Sequence, residues 1–251
     1  MSLASELLSH ADVLCRALST LRFGGAVAYV YNPLEYARAP YRQYLERYGN
    51  TKKRVMFLGM NPGPFGMTQT GIPFGEIGHV RDWLGIEGKV SRPLSEHPKR
   101  PVLGFACGRS EVSGARLWGM WKALSGTPQR FFSWGFVANY CPLVFMDEGG
   151  RNVTPDKLAP KERAALFAPC DAHLSAVCAT LEPTWVVGIG KFAEGRAREA
   201  LPGATIMAMP HPSPANPNAN RDWAGVARAQ LEAQGLPLAQ LLKSSDRPIA
   251  L

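Results

Sequence analysis

The chain has 251 residues and a formal charge of +8, because 28 Lys and Arg residues outnumber 20 Asp and Glu residues. No apolar run approaches the roughly 18 residues of a membrane span, the N-terminus lacks a secretory signal, and five scattered cysteines without a CxxC pair argue against a disulfide framework or a zinc knuckle. We therefore predict an intracellular protein without a membrane partner, in the cytoplasm or nucleoid of a bacterium or the nucleus of a eukaryote.

Helix and strand signals follow one another along the chain. Apolar side chains at helical spacing predict helices over 3–20 and 35–48. Four short apolar runs predict strands that are buried on both faces, and these are Arg54–Met60, Trp134–Tyr140, Trp185–Gly190 and Thr205–Pro210. Further helices are predicted at about 113–124, 155–181, 191–200 and 217–234. The N-cap candidates are Ser113 and Thr154.

This alternation of strands and helices predicts an α/β fold with a parallel sheet and helices on both of its faces. A chain of this length buries roughly 72% of its unfolded surface, which is enough for one large core. We predict a single domain over residues 1–251, with N-terminal helices in residues 1–50 packed on the core and a short irregular tail over 236–251. The Gly- and Pro-rich connection over 61–112 is long for a compact domain, so we expect it to be functional.

The basic excess is concentrated in one part of the chain. Residues 88–130 hold eight basic and only two acidic residues, so they carry six of the eight net charges. A solvated face is the ordinary reason for such a patch, and a nucleic-acid partner is the alternative that the charge leaves open.

Polar residues lie where three of the predicted strands end. Asn61 follows the first strand, Asn139 lies at the end of the second and His211 follows the fourth, each within three residues of a proline. Each residue alone is an ordinary turn or structural residue. In an open parallel sheet the ligand crevice lies beyond the carboxyl ends of the strands, so the three together predict a binding or catalytic site.

The third predicted strand runs into Gly188–Ala193, whose letters GIGKFA match the G-x-G-x-x-A pattern of dinucleotide sites. That fingerprint belongs to the first strand–helix unit and needs an acidic residue at the end of the next strand, which is absent here. Phe192 also breaks the P-loop pattern. We interpret the segment as tight helix–strand packing and keep a nucleotide-binding α/β enzyme as an alternative.

Five segments of the chain resemble the motifs of one known protein family, and they occur in the family's order. They are GMNPGPFGMTQTGIPFG (59–75), SEVSGARLWGMW (110–121), NYCPLVF (139–145), GRNVTP (150–155) and HPSPANPNANRDW (211–223). They resemble motifs of the single-strand-selective monofunctional uracil-DNA glycosylases (SMUG), a family of the uracil-DNA glycosylase superfamily, over roughly residues 25–235. The resemblance implies a three-layer sandwich with a central four-stranded parallel sheet flanked by helices. It also implies a monomeric DNA repair enzyme without a cofactor or metal, and the cysteines lack the spacing of the iron–sulfur branches.

The implied reaction removes uracil, or a 5-substituted uracil such as 5-hydroxymethyluracil, from single- or double-stranded DNA. The nucleotide is flipped out of the stack, and hydrolysis of the bond between sugar and base leaves an abasic site. The resemblance assigns Asn61 to orient the attacking water and His211 to donate a hydrogen bond to the base anion, and both residue types suit these roles. Nothing in the spacing of Glu76 and Asp82 favours a catalytic base over a solvated helix start.

The resemblance also assigns residues that select the base. Asn139 would accept a hydrogen bond from the ring N–H of uracil and donate one to the adjacent carbonyl, and cytosine reverses both partners. Phe74 would stack on the flipped base. Gly63 replaces a bulky side chain of strict uracil enzymes and is expected to leave room at ring position five. Met60 and Met67 would line the same pocket.

DNA contacts are predicted within the basic region. Lys99 and Arg100 are expected to meet the phosphate backbone, which supplies affinity without sequence information. For Arg109 and Arg116 the alternative is an internal ion pair with an acid such as Glu111.

A second DNA-contacting segment is predicted after the histidine, at Ser213, Pro214, Ala215 and Asn216. It would enter the duplex in place of the flipped base. Related animal enzymes carry Arg at the position of Ala215, and Ala fills little space. We therefore expect weaker activity on well-paired duplexes than on single strands or mismatches.

Three functional alternatives remain open from the sequence. One is a related glycosylase that prefers deaminated purines such as xanthine or hypoxanthine. Another is a DNA-binding member of the superfamily without catalysis, against which the intact Asn61 and His211 argue. The third is the nucleotide-binding enzyme that would use Gly188–Ala193.

Overall fold

The computed structural model describes residues 1–215 and 219–244 of the chain. Within them the α-helices are Leu3–Ser19 (α1), Pro33–Tyr36 (α2), Arg38–Tyr48 (α3), Met67–Thr70 (α4), Val112–Ser125 (α5), Pro128–Phe132 (α6), Pro160–Leu181 (α7), Lys191–Ala200 (α8), Ala219–Ala233 (α9) and Leu238–Ser244 (α10). The β-strands are Tyr29–Tyr31 (β1), Val55–Gly59 (β2), Gly135–Asn139 (β3), Val144–Met146 (β4), Asn152–Val153 (β5), Trp185–Ile189 (β6) and Thr205–Met209 (β7). Single turns of other helix types lie at His79–Trp83, Gly104–Ala106 and Pro155–Lys157.

The four predicted strands form one parallel sheet in the order β3–β2–β6–β7, which confirms the predicted fold class. In the register of the central strands, Val55 lies opposite both Gly135 and Trp185. Every residue of β2 is buried, as a strand with neighbours on both sides and helices on both faces requires. All four strands therefore end at the same edge of the sheet.

Helices cover both faces of this sheet. Phe57 of β2 packs on Trp121 of α5, with the ring centroids 4.7 Å apart. Leu58 is paired with Gly188 of β6, and because side chains alternate along a strand, Gly188 faces the side opposite Phe57. A Cβ atom on Gly188 would lie only 2.3 Å from the main-chain nitrogen of Glu194, so α8 packs directly on the strand there. This contact supports our interpretation of the GIGKFA segment as a helix–strand packing motif.

A second, smaller sheet was not predicted. It is antiparallel, has the order β1–β4–β5, and pairs Tyr29 with Met146. Its strands are two or three residues long, too short to produce a recognisable alternating pattern. The hydroxyl of Tyr31 accepts a hydrogen bond from the main-chain N–H of His97 at 2.6 Å and donates one to the carbonyl of Arg100 at 3.1 Å. The small sheet therefore anchors part of the long connection over 61–112.

The beginnings of two helices differ from prediction. Glu111, and not Ser113, is the N-cap residue of α5. The helix predicted over 155–181 is divided into a short turn that follows Thr154 and α7, which begins at Pro160. Proline favours the first turn of a helix, so Pro155 and Pro160 each start a separate segment.

The C-terminal segment predicted to be irregular contains a helix over its described part. Leu238 and Leu241 of α10 are buried, together with the preceding Leu236. This apolar spacing was a helix signal that the prediction overlooked. At the other end of the chain, α1 buries its apolar face in the same core as β2, with Leu7 and Leu14 about 2% exposed.

Helix α7 is long and apolar enough to cross a membrane by length and composition alone. In the structure its buried residues include Leu166, Cys170 and Leu174, which belong to the main hydrophobic core. It packs against α1 and α8, so within the described residues it is a core helix of the fold.

Candidate active site

The edge of the sheet where the strands end forms a cavity of about 340 Å³, a size typical of small-ligand sites. It brings together Asn61, Asn139 and His211, as the positions of these residues at the strand ends predicted. The lining residues are Met60, Asn61, Pro62, Gly63, Phe74, Glu111, Ser113, Asn139, Asn152, Thr154, His211 and Ser213. Of these, Pro62, Glu111, Ser113, Asn152 and Thr154 were not assigned to the site from the sequence, and Ser213 was assigned to DNA contact.

His211 follows β7, and a short turn holds its imidazole. The main-chain N–H of Ser213 donates a hydrogen bond to Nδ1 of His211 at 3.1 Å. Nδ1 is thus the acceptor, so in the neutral ring the proton is on Nε2. Burial lowers the pKa of His211 below its usual value, and the ring is therefore neutral at pH 7.

Asn61 is fixed by a contact with the main chain. Its Nδ2 donates a hydrogen bond to the carbonyl of Leu143 at 3.1 Å. Because the amide nitrogen is used in this way, the side-chain oxygen Oδ1 is the acceptor that the residue can offer to a water molecule.

Asn139 is the last residue of β3 and presents its amide to the cavity. Its Nδ2 lies 3.3 Å from Sδ of Met67, which is a weak acceptor. Its Oδ1 is buried and has no hydrogen-bond partner among the described residues. A buried carbonyl oxygen without a partner is unfavourable, and a ligand N–H donor would satisfy it. Met67 itself lies behind the asparagine and is not in the cavity wall, which differs from its predicted position.

Phe74 has a strained backbone, with φ of +53°. It lies in a tight turn in which the main-chain N–H of Glu76 donates to the carbonyl of Phe74 at 2.7 Å. Helix α5 packs on this turn at Gly114, where a Cβ atom would lie 2.1 Å from the Phe74 carbonyl oxygen. The turn directs the ring to the cavity, 6.1 Å from the imidazole of His211 between centroids.

Gly59 was missed as a site residue. A Cβ atom on Gly59 would lie 2.4 Å from Oδ1 of Asn139 and 2.5 Å from Cε2 of Phe74. Only glycine allows the strand to end beneath both groups. The sequence shows only a glycine at a strand end, which is too common to signal a site.

Gly63 lines the cavity, but the space into which its side chain would point is occupied. A Cβ atom on Gly63 would lie 2.0 Å from Oε1 of Glu111, and one on Gly66 would lie 1.7 Å from Oε2. The carboxyl of Glu111 thus fills the volume beside both glycines. Burial, followed by the nearby charge of Glu76, raises the pKa of Glu111 to about 7.

Arg109 and Arg116, for which the sequence suggested ion pairs with acids such as Glu111, make other contacts. The guanidinium of Arg109 lies over the ring of Phe65, with Cζ 4.0 Å from the centroid. Arg116 donates to the carbonyl of Pro212 at 2.8 Å. The Oε2 atom of Glu111 is buried without a hydrogen-bond partner in the described part of the chain.

Glu76 is a structural carboxylate and not a solvated one, whereas Asp82 is exposed and paired with Arg81. Glu76 accepts hydrogen bonds from the main chain and the ring of His79, at 2.9 and 2.7 Å, and from the hydroxyl of Ser110 at 3.0 Å. Burial alone would raise the pKa of Glu76, but these hydrogen bonds outweigh it and lower the pKa. The expectation of a solvated helix start is therefore wrong for Glu76.

The predicted DNA-contacting residues of the basic region differ in their contacts. Lys99 is exposed. Arg100 is held by a hydrogen bond from Nε to the carbonyl of Gly150 at 2.8 Å, and its Cζ lies 5.6 Å from the ring centroid of Phe65. Arg100 and Arg109 thus both contact the same aromatic ring, in a loop directly beside the cavity.

The segment after the histidine begins as a turn. The hydroxyl of Ser213 accepts a hydrogen bond from the main-chain N–H of Ala215 at 3.2 Å, and both Pro214 and Ala215 are exposed. Asn216 lies outside the described residues. Across 1–215 and 219–244, no group of three or more His, Cys, Asp or Glu side chains is placed to hold a metal ion.

Comparisons with known proteins identify the family of the chain. Residues 46–231 match the uracil DNA glycosylase superfamily. The chain is 51% identical to a single-strand selective monofunctional uracil-DNA glycosylase of Rattus norvegicus, over 94% of this chain and 86% of the relative. It is 50% identical to the Bos taurus enzyme of the same name, over 94% and 88%. The crystal structure of Pedobacter heparinus SMUG2 shares the fold, with a TM-score of 0.62 and 18% identity over 97% of each chain.

Proposed function

Because the chain belongs to the single-strand selective monofunctional uracil-DNA glycosylase family of the uracil-DNA glycosylase superfamily, we propose that it removes uracil from DNA and leaves an abasic site. The observation that carries this function is the convergence of Asn61, Asn139 and His211 on one cavity at the carboxyl edge of the sheet. The reaction is hydrolysis of an N-glycosidic bond, for which water and these side chains are sufficient, and we propose no cofactor.

Asn139 selects uracil in this proposal. Its unpartnered Oδ1 accepts a hydrogen bond from the N3–H of the flipped base, and its Nδ2 leaves Met67 to donate to the carbonyl at ring position four. Cytosine has an acceptor at N3 and a donor at position four, so both contacts would be lost. Phe74 stacks on the base and contributes about 1–3 kcal/mol to its binding.

Asn61 and His211 carry the hydrolysis. A water molecule held by Oδ1 of Asn61 attacks the anomeric carbon of the sugar, and the electron pair of the glycosidic bond leaves with the base. The Nε2–H of His211 donates a hydrogen bond to the carbonyl at ring position two, where negative charge develops. The proton that the water loses goes to solvent or to the departing base, so the products are the free base and an abasic site.

DNA binding relies on phosphate contacts in the proposal. Lys99 and Arg100 meet the backbone beside the cavity, so affinity should decrease as salt increases. The turn at Ser213, Pro214 and Ala215 enters the space of the flipped nucleotide. Since Ala215 is small, excision is expected to be faster from single strands than from well-paired duplexes. We also propose that the enzyme acts inside the cell and as a monomer.

The decisive experiment is a single-turnover excision assay with oligonucleotides that carry one altered base. The panel contains uracil, 5-hydroxymethyluracil, xanthine and hypoxanthine, each in single-stranded and double-stranded form. Excision of uracil without strand cleavage supports the proposal. Excision of the deaminated purines alone would assign a different substrate, and no excision of any base would refute the function.

A further inference from the structure

The ring of Phe65 is contacted by two guanidinium groups. Cζ of Arg109 lies 4.0 Å from the ring centroid, which is a stacking distance, and Cζ of Arg100 lies 5.6 Å from it. The ring is half-buried, and Arg109 is exposed. We call this group of one aromatic ring and two cations the Phe65 cluster (Phe65, Arg100 and Arg109). All three residues belong to the connection over 61–112 that the sequence predicted to be functional.

The two cations of the Phe65 cluster have no carboxylate partner in the described part of the chain. Elsewhere Arg81, Arg198 and Arg228 each bond to an acid. The guanidinium of Arg109 has the Phe65 ring as its neighbour, and that of Arg100 has the ring and main-chain carbonyls. The two charges lie within about 10 Å of each other, close to the Debye length at 0.1 M salt, so they repel. A bound phosphate would offset this repulsion.

The chain places the Phe65 cluster within a short reach of the cavity. Phe65 is two residues from Gly63, and Arg109 is two residues from Glu111, and both Gly63 and Glu111 line the cavity. Two residues of chain span at most about 7 Å. One strand of stacked DNA rises about 3.4 Å per nucleotide, so this reach corresponds to one or two nucleotides.

A third segment places the Phe65 cluster at the mouth of the cavity and not at its floor. Nε of Arg100 donates a hydrogen bond to the carbonyl of Gly150 at 2.8 Å. Two residues after Gly150, Asn152 lines the cavity and is exposed. A DNA strand that leaves the cavity on this side would therefore meet the Phe65 cluster.

An aromatic ring with a guanidinium group stacked on it suits an unpaired nucleotide. Bases stack on aromatic rings and on guanidinium planes with little regard to sequence, because every base has a π-face. A guanidinium group also donates hydrogen bonds to phosphate oxygens. In a well-paired duplex the same base is held by its partner and its neighbours, so it is not free to stack on the protein.

We propose that the Phe65 cluster binds a nucleotide one or two positions from the flipped one in a single strand. Its base stacks on Phe65 and Arg109, and its phosphate is held by Arg100. The inference rests on the proposed function and adds to it a contact with a nucleotide that is not excised. Pairing withholds this contact from a duplex, so it adds affinity for single strands alone.

The test measures the affinity of the full chain for a single-stranded oligonucleotide with one 2′-fluorinated deoxyuridine. The fluorine disfavours positive charge on the sugar and so slows excision. In four further oligonucleotides, one base at one or two positions on either side is removed while its sugar and phosphate remain. We expect one of the four removals to weaken binding at least about fivefold, the effect of one lost stacked base. Equal affinity for all five oligonucleotides would overturn the proposal.

Variants then assign the stacked base to the Phe65 cluster. Phe65→Ala is expected to weaken binding of the intact oligonucleotide at least about fivefold and to abolish the further effect of removing the sensitive base. Arg109→Gln, at an exposed position, provides the same readout if Phe65→Ala does not fold. Arg92→Gln is the matched control, because Arg92 is an exposed arginine of the same basic region that does not line the cavity. That variant should keep the full effect of the sensitive base.

Two results with the variants would overturn the proposal. A loss of affinity that is equal for all five oligonucleotides in both Phe65→Ala and Arg109→Gln would show contact with phosphate alone. No loss in either variant would place the stacked base elsewhere on the protein. Since affinity is measured apart from excision, an enzyme that binds these strands but does not excise uracil would refute the proposed function and not this binding site.

Discussion

The main-chain N–H of Ser213 donates a hydrogen bond to Nδ1 of His211 across 3.1 Å. This contact determines the tautomer of the imidazole, and so it determines that Nε2 carries the proton. Pro212 and Pro214 flank the donor and stiffen the turn. Since burial also lowers the pKa of His211, the ring is a neutral donor of fixed orientation at physiological pH.

Replacement of His211 by alanine removes the donor to the developing base anion. We expect single-turnover excision of uracil to fall by about a hundred- to a thousand-fold, or ~2.7–4 kcal/mol of transition-state stabilisation. Binding of undamaged DNA, measured in parallel, should change little because the phosphate contacts are intact. A near-normal rate would remove His211 from the mechanism.

Asn61→Ala removes the acceptor that holds the attacking water. Because Nδ2 of Asn61 already bonds to the carbonyl of Leu143, the side chain is oriented before substrate binds. We expect the single-turnover rate to fall at least tenfold, with at most a small change in the affinity for DNA. If affinity falls and the rate at saturating enzyme does not, Asn61 acts in binding and not in catalysis.

Asn139→Asp replaces the amide donor by an acceptor. An ionised aspartate accepts from N3–H but repels the carbonyl at ring position four, so we expect uracil excision to fall by at least tenfold. The measurement is the single-turnover rate on uracil, with the rate on cytosine in a matched oligonucleotide beside it. An unchanged rate on uracil would contradict the proposed contact between Asn139 and the base.

Gly59→Ala tests the packing beneath the site. The new methyl group would overlap Asn139 and Phe74, so we expect excision to fall at least tenfold, with a cost in stability of about 1–3 kcal/mol. Gly195→Ala is the control, since a Cβ atom on Gly195 in α8 has no neighbour within 4 Å. That variant should keep its activity and gain about 0.5–1 kcal/mol in the free energy of unfolding. Full activity of Gly59→Ala would show that the site tolerates the shift.

The buried imidazole of His173 is expected to make the free energy of unfolding depend on pH. Burial lowers its pKa to about 4, and its Nδ1 is buried without a partner among the described residues. Between pH 6.5 and 4 the unfolded chain binds a proton at this residue that the folded chain does not, so stability falls as pH decreases through that window. In urea unfolding at pH 7.5 and 4.5, we expect the unmodified protein to lose about 2 kcal/mol more than His173→Gln. Equal losses would contradict the shifted pKa.

The sequence predicted the sheet because a strand that is buried on both faces is visible in the sequence as a short continuous run rich in Val, Ile and Phe. It also predicted that Asn61, Asn139 and His211 would meet, since parallel strands end at one edge whatever the details of packing. The small antiparallel sheet was missed because strands of two or three residues contain no detectable period.

Other parts of the site were decided only by the tertiary structure. The carboxyl group of Glu111 meets Gly63 across almost fifty residues of chain, and no periodicity or spacing connects the two positions. The same holds for Gly59, whose importance depends on the side chains of Phe74 and Asn139 above it. The sequence by itself determined where the strands end and which polar groups follow them. Side-chain packing between distant segments decided what fills the space between those groups, because such contacts depend on distances that the order of residues does not record.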